Sequence, residues 1–326
     1  MEILLTNNGS YPRIGDTPEL QRHRRAYAQW ERGEITENEF RRVEDEVTAE
    51  AIREQVEAGL DVVTDGQIRW YDPFSHLARA LEGVEINGLL RYFDTNTYFR
   101  QPVVRGRVAR RGPILLREFE FARSVATKPV KPVLTGPYTL ARGSVLKGGY
   151  KTIRDLTLAY AEVLALEVGD LAGAGARWIQ VDEPALLSHP DDLELVREAV
   201  GRLVQAKGTT QLIFATSFGD VTPIYGDLQT FAVDMLGLDL TYSPKLPRLI
   251  QDRGTARGLS LGLVDARNTK LETADQLFPV LDRILPGIRG PVHLGPSCGL
   301  EFLPRGRARA KLQNLKTLRD AFLARA

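Results

Sequence analysis

Two adjacent carboxylates near the middle of the chain carry the strongest chemical signal. The segment Trp178-Ile179-Gln180-Val181-Asp182-Glu183-Pro184 is an apolar, strand-forming run that stops at an acid pair and a proline. Neighbouring side chains of a strand point to opposite faces, so Asp182 and Glu183 share a direction only if the strand has ended. Pro184 blocks further ladder pairing. The segment reads as a buried strand that delivers a carboxylate at its C-terminal end, where open α/β sheets and β/α barrels bind ligands. A carboxylate that caps the next segment explains the same residues.

Other candidate strands also end in polar residues. Asn7-Asn8-Gly9-Ser10 follows Ile3–Thr6, and Asp65-Gly66-Gln67 follows Val62–Thr64. Thr135-Gly136-Pro137 follows Pro132–Leu134. Asp265-Ala266-Arg267-Asn268 follows Ser260–Val264, and Ser297-Cys298 comes soon after Val292–Leu294. Leu212–Ala215 and Met235–Leu240 complete eight candidates. Amphipathic helical patterns fall between them, notably over 36–58, 153–172 and 191–206, and a basic helix closes the chain. Eight strands alternating with helices, with polar residues at the strand ends, predict an α/β fold, a (β/α)8 TIM barrel. A doubly wound sheet is the alternative. Residues 87–110 alternate like an extended hairpin around Asp94-Thr95-Asn96, which predicts a β-hairpin insertion (about 86–110) between strands two and three. With no linker or repeat, residues 1–326 read as one barrel domain.

Composition narrows the partners. Lys and Arg number 43 against 42 Asp and Glu, so no global field favours nucleic acid or a membrane. The runs Arg105–Arg111 and Arg305–Arg309 lack interleaved aromatics and read as solvated surface, or as a site for a small anion. One cysteine, Cys298, excludes an intrachain disulfide and agrees with a reducing, cytoplasmic setting. No signal peptide or membrane span is expected.

Seven motifs in order resemble the cobalamin-independent methionine synthase family. They are Gly9-Ser10-Tyr11-Pro12-Arg13-Ile14-Gly15, Phe93-Asp94-Thr95-Asn96, Leu134-Thr135-Gly136-Pro137-Tyr138-Thr139, Gln180-Val181-Asp182-Glu183-Pro184-Ala185, Ser217-Phe218-Gly219-Asp220-Val221, Gly262–Asn268 and Pro296-Ser297-Cys298-Gly299-Leu300. The resemblance is closest to the N-terminal of that family's two barrels. The resemblance implies methyl transfer to homocysteine or a related thiol, with methyltetrahydrofolate or methylcobalamin as donor. In the family's catalytic barrel a zinc ion held by His-x-Cys, Glu and Cys ionises the thiol. Here the fifth candidate strand runs into Ser217-Phe218, and only Cys298 matches a ligand position. That puts zinc in doubt and leaves two readings: an enzyme, active alone or with a zinc-bearing barrel or corrinoid protein as partner, or a non-catalytic folate-binding or docking subunit.

By that resemblance Asp182 holds the acceptor's ammonium and Ser10 its carboxylate, with Gln67, Glu183, Asp265 and Asn268 as further substrate-binding candidates. Gln67 stands where the catalytic barrel carries a glutamate. Cys298 reads as a catalytic candidate or a small core residue. His293 could join Cys298 and Asp239 at a metal, or be a satisfied core histidine. Arg13 and Arg22 are candidates for a polyglutamate tail, and Trp70 for stacking on a flat cofactor ring. Solvated helix charges and a hairpin's own apolar face are the plainer readings.

Overall fold

The computed structural model describes residues 2–325. Seven parallel strands form a curled sheet: β1 (Ile3–Leu5), β4 (Val133–Thr135), β6 (Trp178–Asp182), β7 (Gln211–Thr216), β8 (Met235–Asp239), β9 (Gly258–Val264) and β10 (Val292–Pro296). Their order is β1-β10-β9-β8-β7-β6-β4. Residues 62–63 close the ring between β1 and β4 through two parallel bridges, Thr6 to Val62 and Val63 to Val130. The eighth position of the barrel is therefore held by single bridges rather than by a ladder.

Helices cover the outside, and three of those described begin at a capping box supplied by the sequence. Thr36 and Glu39 form a reciprocal capping box on α2 (Glu37–Glu57), and Thr152 and Asp155 do the same on α6 (Ile153–Gly173). Helix α2 buries Phe40, Val47, Ala51 and Ile52, the apolar stripe of its 3.6-residue period. Further helices are α1 (Arg22–Glu31), α3 (Ser75–Ala78), α4 (Leu116–Val125), α5 (Pro137–Gly143), α7 (Leu193–Ala206), α8 (Tyr225–Leu228), α9 (Leu246–Arg253), α10 (Ala274–Ile284) and α11 (Arg305–Leu323).

The insertion lies between the second and third barrel strands, as expected. It begins earlier than expected: β2 (Leu81–Arg91) pairs antiparallel with β3 (Tyr98–Arg110). A third strand, β5 (Val145–Leu146), adds parallel to β3. The hairpin tip is tied to the top of the barrel. Asp94 accepts from the Tyr242 hydroxyl and lies 3.6 Å from Arg267.

Inward-facing side chains of β6 stack in layers. Trp178, Gln180 and Asp182 share one face by the two-residue period. Trp178 packs with Val62, Ile213 and Met235 at the bottom of the barrel, and Asp182 ends the row at the top. No helix among the described residues is long and apolar enough to cross a membrane.

Candidate active site

The strand parity that stacks Asp182 above Gln180 sends Glu183 the other way. Asp182 opens into a small cavity at the C-terminal mouth of the barrel, about 30 Å³, lined also by Asn8, Ser10, Gln67, Tyr92, Cys298 and Glu301. Glu183 is fully buried, and its carboxylate accepts from the backbone N–H groups of Tyr138 (2.9 Å) and Thr139 (2.7 Å). It caps the N-terminus of α5, where a negative charge is favoured. Gly136 is required there, because a Cβ would lie 2.2 Å from the Glu183 carboxyl carbon. Glu183 thus caps α5 and is not among the residues that line the cavity.

Asp182 sits in an environment that resists its charge. Burial raises its pKa to about 6, and a hydrogen bond from Gln180 Nε2 to Asp182 Oδ1 (2.7 Å) and the charge of Lys131 oppose that rise. Burial and then the Asp182 charge push the Tyr92 hydroxyl well up. Ser10 Oγ is buried, with the Glu301 carboxyl as its neighbour and no hydrogen bond of regular geometry. Gly299 approaches it so closely that a Cβ would lie 2.0 Å from Ser10 Oγ. Gln67 has φ of 51°, a strained value for a residue with a side chain, and lines the same cavity.

Glu301 was not anticipated. It lines both this cavity and a larger cleft of about 720 Å³ beside it. Burial raises its pKa, with Arg13 and the Ser10 hydroxyl partly opposing. The signal in the sequence was faint: a single acid three residues beyond Cys298. The cleft is walled by Tyr27, Trp30, Phe40 and Tyr71 and by Arg13, Arg24 and Arg79. Trp30 stacks on Phe40 with ring centroids 5.2 Å apart and planes at 7°. Arg100 lies 4.0 Å over the Tyr71 ring.

Of the candidates for cofactor binding, only Arg13 reaches this cleft. Arg22 turns away to pair with Glu50 at 3.1 Å. Trp70 is buried, stacked on His76 at 4.7 Å, with its indole N–H given to Glu118. Its neighbour Tyr71 faces the cleft instead. Asp265 and Asn268 stay outside both spaces. Asp265 Oδ1 accepts from the Arg267 backbone at 2.9 Å and Oδ2 accepts from Asn268, which closes a local turn.

The metal candidates do not converge. Among the described residues no group of three His, Cys, Asp or Glu side chains is placed to hold an ion. Cys298 and Asp239 influence each other, and burial with the Asp239 charge keeps the Cys298 thiol well above its usual range. Asp239 Oδ1 instead accepts from Thr241 N (2.8 Å) and Tyr242 N (3.3 Å). His293 packs edge-on against Trp178 at the bottom of the barrel, 5.4 Å between ring centroids, and burial drops its pKa to about 3. Strand parity places it in the lower layer, away from Cys298. The zinc set implied by the family therefore does not fit these side chains.

The family's description, cobalamin-independent synthase, catalytic domain, matches residues 6–320. The chain belongs to the cobalamin-independent methionine synthase family. Within that family it is 32% identical to the methionine synthase of Sulfurisphaera tokodaii over 313 residues, covering 94% of this chain and 88% of the other. It is 30% identical to that of Sulfolobus acidocaldarius over 309 residues, with the same coverage. The solved B12-independent methionine synthase of Shewanella sp. W3-18-1 superposes with a TM-score of 0.81 at 21% identity, over 98% of both chains. A putative enzyme of that kind from Listeria monocytogenes gives 0.73 at 18% identity, over 98% of this chain and 99% of the other. The match is to the family's catalytic domain, whereas several motifs had pointed to its N-terminal barrel.

Proposed function

We propose that this chain is a one-domain methyltransferase that methylates the thiol of homocysteine, with the acceptor's ammonium anchored at Asp182 in the small cavity and the methyl donor in the larger cleft. The observation that carries the reading is Glu301, which lines both spaces, the smaller of which also holds Asp182. Asp182 takes the acceptor's ammonium in a charge-assisted contact. Ser10 Oγ, buried beside Glu301, is placed to offer a hydrogen bond to the acceptor's carboxylate. Tyr92 and Phe218 close the space above, and Phe218 stacks on Phe93 of the hairpin tip.

The cleft favours methyltetrahydrofolate over methylcobalamin. Its volume lies within the usual range for ligands of drug size, and a corrinoid with its macrocycle and nucleotide loop exceeds it. Aromatic walls suit a flat pterin, and the arginines suit an acidic tail. Glu301 is placed to accept the thiol proton as the carbon–sulfur bond forms. It returns that proton to the donor nitrogen as the carbon–nitrogen bond breaks. No step is assigned to zinc, because the side chains present do not form its site.

A non-catalytic subunit is the weaker reading. The match to the catalytic domain, and relatives named methionine synthase that this chain covers to 88% of their length, support an enzyme that needs no second barrel. The test is methionine formation from homocysteine by the purified chain, with methyltetrahydrofolate and methylcobalamin in separate arms and Asp182→Asn as control. Activity with the folate alone supports the reading. Folate binding without turnover would move the chain to the subunit class.

A further inference from the structure

Beneath Asp182 lies a buried charge for which the reaction has no direct use. Lys131 is fully buried inside the barrel. Its ammonium donates to Gln180 Oε1, and Gln180 Nε2 donates in turn to Asp182 Oδ1 (2.7 Å) and to Asn8 Oδ1. An amide has one acceptor end and one donor end. With the lysine on its oxygen, the Gln180 NH₂ group can only point up, toward the cavity. A buried ammonium without a close carboxylate is costly, so its retention asks for a reason.

We infer that Lys131 is a positioning residue for the acceptor: it fixes the Gln180 amide so that Asp182 and Asn8 are both held from below, and its charge keeps the Asp182 carboxylate ionised to receive the acceptor's ammonium. The inference rests on the amino-acid acceptor reading above.

Burial drives the Lys131 pKa down to about 7, and Asp182 is the group that pulls it back up. The other titratable groups around this column are accounted for. His293, on β10 below, is neutral across the working range, held so by burial with help from Lys131 and Arg177. Tyr92, from the hairpin above, stays protonated. Glu183 points outward to α5 and titrates at about 7. Its ionisation adds negative charge, the same electrostatic direction as loss of the Lys131 charge, so the acid side, where Asp182 itself titrates, is the range that reports on Lys131.

The test uses L-methionine, the product of the proposed reaction, as a calorimetric probe across pH 5 to 8. In the wild type, affinity falls on the acid side, below about pH 6, as Asp182 protonates. Lys131→Met weakens binding about tenfold at pH 7 and moves the acid-side loss upward by about one pH unit. Lys131→Gln, which keeps a hydrogen-bond donor without the charge, recovers part of the affinity but keeps the upward shift of the acid-side loss. A variant that binds with the wild-type pH profile overturns the inference and leaves the acceptor reading intact. Should both variants fail to fold, Gln180→Leu, which breaks the link between Lys131 and Asp182, serves instead, and methionine binding by it with the wild-type affinity and pH profile overturns the inference equally. No methionine binding to the wild type at any pH would overturn the acceptor reading and this inference with it.

Discussion

Phe93 and Phe218 stack face to face, 5.3 Å between centroids and 13° between planes, although one sits at the tip of the hairpin and the other follows β7. Both have positive φ, 48° and 64°, outside the region that residues with side chains prefer. Gln67, at 51°, is the third such residue among those described, and it lines the same cavity. Gln67 and Phe218 line that cavity and Phe93 packs on Phe218, so backbone strain gathers where geometry matters more than local stability. Phe93→Ala should therefore cost about 2 kcal/mol in a urea melt and raise the acceptor KM about tenfold. A stability loss with unchanged acceptor KM would reduce the stack to packing.

Asp182 should trade stability for binding. Its folded pKa, about 6, lies above the value near 4 expected in the unfolded chain. The unfolded state therefore gives up its proton first, and stability falls as pH rises from about 4 to about 6. Asp182→Asn escapes that loss. It should melt higher than the wild type above pH 6, by a stability gain on the order of 2 kcal/mol, while losing acceptor binding. Equal melting of the two proteins at pH 7.5 would sink the idea.

Gly299 and Ser10 leave no room between them. A methyl group at position 299 would lie 2.0 Å from Ser10 Oγ. Gly299→Ala should raise the acceptor KM tenfold or more with little change in donor KM. Adding Ser10→Ala should return the melting temperature toward wild type but not the affinity, because the hydroxyl is then gone.

Cys298 discriminates between packing and metal chemistry. Its thiol is buried and held neutral by burial and the Asp239 charge. As a small core residue it should tolerate replacement: Cys298→Ala should keep activity within a few-fold and lose on the order of 1 kcal/mol of stability. Abolished turnover in a folded variant, with metal content falling alongside, would point instead to a rebuilt metal site.

Tyr71 and Trp70 give a paired test of the donor cleft. Tyr71 lines it, and Trp70 is turned into the core against His76 and Glu118. Tyr71→Ala should raise the methyltetrahydrofolate KM about tenfold, the loss of roughly one stacking contact. Trp70→Phe should lower stability and leave the donor KM unchanged. The reverse pattern would place the donor elsewhere.

Much of this molecule was written in its sequence. The two-residue and 3.6-residue periods marked the strands and helices, because burial on one face leaves a one-dimensional trace. The expected helix over 36–58 matches α2 with its two capping residues, and the eight strand positions recur in the barrel. Strand parity allowed Asp182 and Glu183 to face apart, but both stood as substrate-binding candidates, and the seven ordered motifs pointed to the family.

The tertiary structure decided what each functional group touches. Glu183 became a helix cap because the next element happens to start against it. His293 fell in the lower barrel layer beside Trp178, where the shear of neighbouring strands, invisible in the chain, sets its height. Trp70 went inward and Tyr71 outward by one step along a loop. Glu301 and Lys131 carried no local pattern at all. Their roles arise from neighbours such as Arg13 and Gln180, far away in sequence, and only closure of the barrel brings those side chains within reach.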